Sequence, residues 1–265
     1  MKDNDQTKQL QSQAIRQQRI NELVQRDGHV RVLALSKKLN VSEITIRRDL
    51  AILEKKNSLE RTHGGAISIH RIYQEVNYNN RSDQELENKD SIARIAAELI
   101  NDGDTVFING GSTTYHIFRY INNINVKVIT TNPGCIGQIE NSKIELILAG
   151  GLYHPRSNTF YGGITNDILN QVNANKAIIG VHGISCLYGL TSPMQHAAET
   201  TRLMINRTRG EVIIVADHRK IGLVSDYITS PTNRINTLIT DKFLDKEYIK
   251  DFEKLGIKVI QTNPL

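Results

Sequence analysis

The 265-residue sequence has few cysteines and no long apolar segment, and both absences exclude classes of protein. Its two cysteines, Cys135 and Cys186, form no CxxC pair and no ligand cluster, which argues against a disulfide framework or a metal site and favours the cytoplasm. The longest apolar runs are short, such as residues 212–216, so we expect no segment that spans a bilayer. Residues 1–13 lack the apolar region of a secretory signal. We therefore expect a cytoplasmic protein with no metal, cofactor or membrane partner.

Positive charge is concentrated at one end of the chain. Residues 1–66 hold 13 Lys and Arg against 8 Asp and Glu, whereas the remaining residues hold 20 of each kind. The whole net charge of +5 therefore belongs to the first quarter of the sequence. A basic head on a neutral body indicates nucleic-acid binding. A solvated basic helix would give the same count, so the charge alone does not decide between the two.

The apolar pattern divides the chain into two domains. Residues 14–68 predict a compact head, and residues 69–85 lack helical periodicity and predict a linker. In residues 86–265, short apolar runs alternate with amphipathic helical segments. This alternation is typical of a C-terminal α/β domain with a largely parallel sheet.

Helical spacing in the head predicts three helices, over residues 14 to about 26, 32–39 and 43 to about 56, with a turn at Asn40. We expect the apolar residues that recur at this spacing to face the core. They are Ile15, Ile20, Leu23, Val24, Leu33, Leu35, Leu39, Ile46, Leu50 and Leu53. Two short helices, a tight turn and a third helix are the elements of a helix-turn-helix.

Polar residues at the start of the third predicted helix favour DNA binding. Ser42 is placed to cap the helix, because its hydroxyl can accept from free backbone N–H groups. In a helix-turn-helix the exposed first turn of this helix reaches base edges in the major groove, where Arg bonds guanine or phosphate. The candidate DNA contacts are Ser42, Glu43, Thr45, Arg47 and Arg48. The spacing fits a three-helix bundle with solvated arginines equally well.

A wing is predicted after the third helix. Residues 59–61 form a short strand-like piece, and residues 62–66 (THGGA) supply a glycine-rich turn. In a wing hairpin, Arg61 and His63 would lie near the phosphate backbone of DNA. An ordinary surface histidine is the alternative for His63.

The segment DTVFINGGSTT, residues 104–114, predicts a strand, a glycine-rich turn and a helix that begins near Tyr115. Glycines let backbone N–H groups turn towards an anion, and a helix N-terminus favours negative charge. The candidate effector contacts in this turn are Asn109, Gly110, Gly111, Ser112, Thr113 and Thr114. A plain strand-to-helix turn capped by Ser or Thr gives the same pattern, so both alternatives stay open.

Four further predicted strand ends carry glycine or polar residues, at 131–132, 150–151, 180–183 and 217–220. In an open α/β sheet, ligands bind at the carboxyl ends of strands, so five such ends together indicate a binding site. The additional candidate contacts are Asn132, Gly151, His182, Gly183, Asp217 and Lys220. Lys220 pairs either with a ligand anion or with solvent, and His182 contacts either the ligand or a buried partner. Asp217 is expected to order Lys220 or its loop rather than to move protons.

The head closely resembles the signature of DeoR-family regulators. Residues 28–66, GHVRVLALSKKLNVSEITIRRDLAILEKKNSLERTHGGA, contain a "VS-x-x-TIRRDL-x-x-LE" recognition helix and an "R-x-HGGA" wing exit in the order typical of the family. The resemblance implies an α+β winged helix-turn-helix in which Ser42, Thr45, Arg47 and Arg48 contact DNA. It also implies a regulator, most often a repressor, of a carbohydrate uptake or catabolism operon.

The body resembles the family's sensor domain from about Lys89 to Val259, a domain similar to ribose-5-phosphate isomerase. Residues 109–114 stand where the family has a "D-x-GTTT"-like turn, with Asn109 in place of the usual Asp. Residues 150–163, which include Arg156 and Gly162, and residues 217–222 match later motifs of the family. The resemblance implies a phosphorylated small-molecule effector, such as a sugar phosphate, bound by these segments.

Three functions compete: a ligand-controlled DNA-binding regulator, a sugar-phosphate isomerase with a DNA-binding head, and a nucleic-acid-binding protein without a ligand. Isomerases of this fold use acids in a "DGADE"-like run, and the matching residues 180–184, GVHGI, hold no carboxylate. We therefore expect no catalytic residues and no enzyme activity. The expected partners are double-stranded operator DNA, the phosphorylated effector and further copies of the chain in a homo-oligomer.

Overall fold

The computed structural model describes residues 13–24, 29–56, 58–62, 64–68, 78, 85–121, 124–139 and 143–263. Contacts divide the chain into two compact units, Met1–Ile72 and Tyr73–Leu265. Apart from Tyr78 and Glu85, the predicted linker at 69–85 lies outside the described residues, and its boundaries stay a prediction.

The head is a winged helix-turn-helix, as predicted. Its elements in chain order are α1 (13–24), β1 (His29–Arg31), α2 (Val32–Leu39), α3 (Glu43–Lys55), β2 (Glu60–Thr62) and β3 (Gly65–Ile67). The three strands form one antiparallel sheet in the order β1-β3-β2. Asn40 makes the predicted turn after α2 in the left-handed conformation, with φ 52°, which asparagine tolerates better than most residues do.

The core of the head confirms most of the predicted apolar faces and corrects two positions. Ile46, Leu50 and Leu53 of α3 are buried, as the spacing predicts. Leu33 and Ile15, however, are exposed. In α2 the buried residues are Val32 and Leu35, and in α1 the polar Gln17 is buried near Ile20, Leu23 and Val24.

The reason for the first correction is the point at which α2 begins. Because α2 starts directly after β1, Val32 is its first residue and Leu35 follows at i+3, so these two side chains share the buried face. Leu33 lies one residue further round the helix and faces outward, while Leu39 is partly buried against the same core.

A seven-stranded, entirely parallel sheet forms the centre of the body, which confirms the predicted α/β class. Its strands in spatial order are β15 (Lys258–Thr262), β14 (Thr237–Asp241), β12 (Thr208–Val215), β9 (Ala174–Gly180), β4 (Thr105–Ile108), β5 (Val126–Thr130) and β6 (Ile144–Leu148). The chain runs outward from β4 through β5 to β6 and then returns to β9 on the other side of β4. The direction of winding therefore reverses between β4 and β9, which is where open α/β sheets bind ligands.

Helices cover both faces of this sheet. In the described part of the body they are α4 (Leu86–Glu98), α5 (Ser112–Ile117), α6 (Gly163–Asn170), α7 (Gln195–Asn206) and α8 (Lys246–Lys254). Along β12, Val212 and Ile214 belong to one apolar cluster with α6, α7 and α8, while Ile213 and Val215 belong to a second cluster with α4 and α5. A strand buried on both faces explains the continuous apolar run that the sequence shows here.

Two small antiparallel sheets complete the described body. One pairs β7 (Leu152–His154) with β8 (Thr159–Tyr161), and the other has the order β10 (Gly183–Ser185), β11 (Gly189–Ser192) and β13 (Tyr227–Ser230). No helix among the described residues combines the length and the apolar character needed to cross a membrane.

Helix α5 begins at Ser112, three residues before the predicted start at Tyr115. Thr114 Oγ1 donates to the carbonyl oxygen of Asn109 at 2.8 Å, so its hydroxyl closes the turn between β4 and α5. Ser112, Thr113 and Thr114 are all buried, and they form the first turn of the helix instead of an open loop before it.

Candidate DNA surface and effector cavities

The first turn of α3 is capped as the sequence predicts. Ser42 Oγ accepts from the backbone N–H of Thr45 at 3.2 Å and lies 2.9 Å from the Thr45 hydroxyl. Glu43 faces Arg47 across one turn, with 3.7 Å between carboxylate and guanidinium. The cap and the ion pair hold the polar side chains of this turn in a defined arrangement.

The predicted DNA contacts on α3 share one exposed surface. Ser42, Glu43, Arg47 and Arg48 are exposed, and Thr45 is partly buried beside them. The prediction missed Ile44, which is 76% exposed in the middle of this surface. An isoleucine in the first turn of the third predicted helix, outside the apolar face, was the available signal, since apolar side chains contact thymine methyl groups in the major groove.

The inner face of α3 carries a charge that the apolar pattern did not reveal. Asp49 is 1% exposed and accepts from Arg16 Nε at 2.5 Å and from Gln17 Nε2 at 3.1 Å. Both donors belong to α1, so this carboxylate ties α1 to the back of α3. The exposed arginines of α3 therefore stand on a helix held from behind by a buried carboxylate and its partly buried arginine partner.

The wing is built on a close approach between strands. A Cβ on Gly65 would lie 1.8 Å from the carbonyl oxygen of Val30, so only glycine lets β3 pair with β1 here. Arg61 on β2 pairs with Glu54 of α3 at 3.7 Å, and its backbone N–H donates to the same carboxylate at 3.0 Å. His63, the other predicted wing contact, lies outside the described residues.

In the body, the carboxyl ends of β4, β9 and β12 line an open cavity whose empty space, including the solvent at its mouth, is about 500 Å³. We call it the cationic cavity. Its lining residues are Lys89, Gly110, Gly111, Ser112, Thr113, Gly180, Val181, His182, Val215, Ala216, Asp217, Arg219 and Lys220. The three strands are neighbours at the centre of the sheet, and the cavity includes the ends of β4 and β9, between which the winding reverses.

Three cations and one carboxylate line the cationic cavity. Lys89 is only 3% exposed, although lysine is seldom buried, and Arg219 and Lys220 belong to the turn after β12. Asp217 Oδ1 accepts from the backbone N–H of Arg219 at 3.1 Å and from its Nε at 3.0 Å. Burial raises the pKa of Asp217, but Arg219 and Lys220 outweigh burial and lower it, so the carboxylate is charged. The lining thus keeps an excess of positive charge.

The turn that carries Arg219 and Lys220 rests on a second buried carboxylate. Asp241 at the end of β14 is fully buried, and it accepts from the backbone N–H of His218 at 2.9 Å and lies 3.0 Å from His218 Nδ1. Burial raises the pKa of Asp241, and the hydrogen bonds from His218 and Phe243 lower it below its usual range. This charged group anchors the turn from behind the cavity.

Asn109 joins the two strands between which the winding reverses. Its Nδ2 donates to the carbonyl oxygen of Gly180 at 2.8 Å, and its Oδ1 accepts from the backbone N–H of Gly180 at 2.9 Å. Only an amide supplies both a donor and an acceptor here, because a carboxylate would place an oxygen against the Gly180 carbonyl. The bridge explains why an asparagine suits this position.

A second cavity of about 380 Å³ adjoins the first and shares Gly110 and His182 with it. We call it the hydroxyl cavity, because five of its lining residues carry small hydroxyl side chains. Its lining residues are Asn109, Gly110, Thr131, Ser157, Thr159, Phe160, Tyr161, His182, Met194, His196, Ala197, Thr200 and Thr201. His182 Nδ1 lies 3.4 Å from Ser192 Oγ, so this histidine has a protein partner and also lines both cavities.

The structure brings eight of the predicted effector contacts to the two cavities, namely Asn109, Gly110, Gly111, Ser112, Thr113, His182, Asp217 and Lys220. Six others line neither cavity: Thr114, Asn132, Gly151, Arg156, Gly162 and Gly183. Asn132 caps a 3-10 turn, with Oδ1 accepting from Gly134 N at 3.0 Å, and Arg156 is exposed. Gly162 lies at the N-cap of α6, and Gly183 is buried in β10.

Sequence reasoning missed Lys89, Arg219 and His196. Arg219 lies beside Lys220 in a motif that was already singled out, so its charge was an available signal. Lys89 belongs to α4, which follows the predicted linker, and His196 belongs to α7, which follows β11. Only the packing of these two helices brings the two residues to the cavities. Within the described ranges, no three His, Cys, Asp or Glu side chains are grouped so as to hold a metal ion.

Two protein families match the chain. The DeoR-like helix-turn-helix domain matches residues 16–72, and the DeoR C terminal sensor domain matches residues 84–242. Among solved structures, ribose 5-phosphate isomerase A of Methanocaldococcus jannaschii overlaps 50% of this chain and 53% of its own at 16% identity, with a TM-score of 0.37. That similarity is too low to carry an argument.

Relatives cover nearly the whole chain. The HTH-type transcriptional repressor GlcR of Bacillus subtilis is 33% identical over 226 residues, which are 84% of this chain and 86% of the relative. The HTH-type transcriptional regulator GlpR of Haloferax volcanii is 31% identical and covers 93% of this chain and 97% of its own. The lactose phosphotransferase system repressor of Streptococcus mutans is 30% identical over 85% and 91%. The chain therefore belongs to the DeoR family of helix-turn-helix transcription regulators.

Proposed function

We propose that this regulator binds double-stranded operator DNA through α3 and the wing, and that a phosphorylated small molecule in the cationic cavity controls it. We further propose that it acts in the cytoplasm as a homo-oligomeric repressor of a carbohydrate uptake or catabolism operon. The names of the relatives support this class, since they include a transcriptional repressor and the repressor of a lactose phosphotransferase system.

The observation that carries the proposal is the charge of the cationic cavity. Lys89, Arg219 and Lys220 line it against the single carboxylate of Asp217. Gly110 and Gly111, which have no side chain to shield their backbone, and the hydroxyl residues Ser112 and Thr113 belong to the same wall. A phosphate group needs several donors and a balancing positive charge, and this lining supplies both.

For the head, the proposal rests on the exposed surface of α3. Arg47 and Arg48 stand on the helix that a helix-turn-helix places in the major groove, and Ile44 offers an apolar contact between them and the cap. A symmetric oligomer would bind half-sites separated by about 10 bp or a multiple of it. Affinity would fall with salt, with a log–log slope of roughly −0.9 per phosphate neutralised.

An isomerase is the competing function, and the chemistry of the cavities disfavours it. Of the described residues that line the two cavities, Asp217 alone carries a carboxylate. Since Arg219 holds that carboxylate and its pKa is lowered, it is a weak base for moving a proton between carbon atoms. We expect pentose- and hexose-phosphate isomerase assays to show no rate above buffer, and an activity lost in His182→Ala would favour the enzyme instead.

The direct test is a gel shift with the DNA upstream of the protein's own gene, at increasing concentrations of phosphorylated metabolites and their unphosphorylated parents. We expect a retarded protein–DNA complex that dissociates when a phosphorylated compound is added and persists when its unphosphorylated parent is added. Absence of any retarded complex would contradict the role of the head. An equal response to both compounds would contradict the phosphate site.

A further inference from the structure

Ile44 stands at the centre of the outward face of α3. An α-helix turns by about 100° per residue, so the side chain of Leu53 projects about 180° away from that of Ile44. Ile46 projects about 200° away, and both Ile46 and Leu53 are buried, whereas Ile44 is 76% exposed. Arg48 lies about 40° to one side of Ile44, and Arg47 lies about 60° to the other side. The side chain directed most squarely away from the core of the head is therefore apolar.

The neighbours of Ile44 leave the centre of this face open. Glu43 lies about 100° from Ile44, and its carboxylate, 3.7 Å from the Arg47 guanidinium, draws that arginine towards the margin. Ala51 lies within about 20° of Ile44, two turns further along α3, and carries only a methyl group. Isoleucine is a weaker helix former than glutamate or lysine, because its branched side chain is restricted at χ1. The folding of α3 therefore gives no reason for an isoleucine at this exposed position.

The chemistry of the major groove decides what such a residue can contact. Guanine presents two acceptors there, adenine an acceptor and a donor, cytosine a donor, and thymine an acceptor beside its 5-methyl group. A helix-turn-helix brings the first turn of its third helix to these base edges. Because Ile44 has neither donor nor acceptor, it gains free energy only by burying the thymine methyl group. Above guanine it would exclude water from two acceptors without replacing their hydrogen bonds, which is costly.

We propose that Ile44 is a specificity-determining residue, which packs on the 5-methyl group of one thymine in the DNA bound by each head and fixes an A·T pair there. This inference rests on the proposed function of the head. It adds the identity of one base pair and the group by which that pair is recognised. Arg47 and Arg48 bond bases or phosphates on either side of the methyl contact, and Glu43 keeps Arg47 away from it.

The first test removes only the methyl group. Deoxyuridine in place of thymidine leaves every hydrogen-bonding group of the base pair unchanged. DNA from upstream of the protein's own gene is prepared with sparse, random deoxyuridine, and bound and free molecules are separated on a gel and cleaved at uracil. We expect the bound fraction to be depleted of deoxyuridine at one thymine in each half-site. A duplex with that one substitution should bind about three- to fivefold more weakly, as for one methyl group left unburied.

The second test removes the side chain. Ile44→Ala deletes the contact and Ile44→Val keeps most of it, while Ile15→Ala makes the same change at another isoleucine of the head, which is 69% exposed on α1. We expect Ile44→Ala to bind the thymine and uracil duplexes equally. Ile15→Ala should discriminate between them like wild type, and Ile44→Val nearly so. Because both positions are exposed, all variants should melt close to wild type. Discrimination that persists in Ile44→Ala assigns the methyl group to another residue and overturns the proposal.

The inference and the proposed function of the head fail in different ways. If the wild type retards no DNA, the proposed function of the head is wrong and the inference falls with it. If the wild type retards the DNA with a steep dependence on salt, but no thymine can be replaced by deoxyuridine with a loss of affinity, only the present inference is wrong.

Discussion

In the head, Arg47 and Arg48 stand exposed at the start of α3, whereas in the body Lys89 is nearly fully buried in the wall of a cavity. The head supports its exposed charges from behind with the buried carboxylate of Asp49, which pairs with the partly buried Arg16. The body supports its cations with Asp217 beside the cavity and Asp241 behind it.

The difference follows from the partner each region is proposed to bind. DNA is a large polyanion that approaches from outside, so arginines that bind it must project into solvent. A single phosphate group on a small molecule is held better where water is excluded, because charge interactions strengthen as the local dielectric falls. The same residue types thus serve two functions according to their burial.

The largest effect is expected from Asp49→Ala, which breaks the support of the head alone. Removing the carboxylate leaves the buried Gln17 amide without its acceptor and the partly exposed Arg16 without its anion, so we expect a loss of about 2–3 kcal/mol in the stability of the head. Operator binding should be lost at temperatures at which the body remains folded. Phosphate should still raise the melting temperature of the body in this variant. Glu22→Ala is the matched control, since its pair with Arg19 is exposed and contributes less than about 0.5 kcal/mol. If operator binding survives in Asp49→Ala, the buried pair does not hold α3 in place.

Lys220→Ala and Thr113→Val test the body. Loss of a charged hydrogen bond costs about 1.5–3 kcal/mol, so Lys220→Ala should raise the Kd for the phosphorylated effector about tenfold or more. Thr113→Val keeps the shape of the side chain and removes one hydroxyl, so its effect should be smaller. The measurement is the ratio of operator affinities with and without effector, with Lys254→Ala on α8 as the control. A wild-type ratio in both variants would mean that the phosphate binds elsewhere.

Arg47→Ala and Arg48→Ala test the exposed surface of the head. Each should lower operator affinity by on the order of 1–3 kcal/mol if the side chain contacts a base, with less discrimination at that position. If the side chain contacts only phosphate, its removal should instead reduce the log–log slope of affinity against salt concentration by about one. Fluorescence anisotropy at several salt concentrations separates the two outcomes. Lys258→Ala, which removes one positive charge from the body, should bind like wild type, and wild-type binding by both arginine variants would contradict this interface.

The smallest effect is expected from pH, through His116 of α5. His116 is 3% exposed, both of its ring nitrogens lack a hydrogen-bond partner among the described residues, and burial followed by Arg119 lowers its pKa below the ordinary 6.5. Above pH 6.5 the group is neutral in both the native and the unfolded state. Below it the unfolded chain takes a proton that the native state does not, so stability falls as the pH falls towards the native pKa.

Urea unfolding at pH 7.5 and pH 5.5 measures this effect. Asp104, Asp217 and Asp241 also have lowered pKa values, but their contributions are lost only as the pH falls below about 3.8, outside this window. His196, whose pKa burial also lowers, contributes within it, so the contribution of His116 is the difference between wild type and the His116 variant. His116→Phe should therefore reduce the loss of stability between the two pH values. An equal loss in wild type and variant would show that His116 titrates normally.

Local patterns predicted most of the architecture. Helical spacing located α2 and α3, and the alternation of short apolar runs with amphipathic segments predicted the parallel sheet. The errors arose where burial depends on a distant partner. Leu33 and Ile15 fit the apolar periodicity but face outward. Gln17 and Asp49 interrupt it and are buried, because Asp49 accepts hydrogen bonds from Gln17 and Arg16, which lie 32 and 33 residues away.

In the candidate site too, residues recognisable from local pattern were predicted, and residues placed by distant contacts were not. Gly110, Ser112, Thr113 and Lys220 were predicted from strand ends, because in a parallel sheet these ends meet at one edge. Asn132 and Gly151 also follow strand ends, but those strands, β5 and β6, lie on the far side of β4 from the cationic cavity.

The amino-acid order by itself determined the two-part organisation, the basic head, the capped start of α3 and the glycine turn after β4, since each depends on neighbours within a few residues. Tertiary structure alone decided that Lys89 and His196, which are 107 positions apart in the chain, line adjoining cavities at the sheet edge. It also decided that Asn109 bonds Gly180, 71 residues away. The physical reason is that a hydrogen bond or ion pair between distant segments forms only after the intervening chain has packed, and no local periodicity records it.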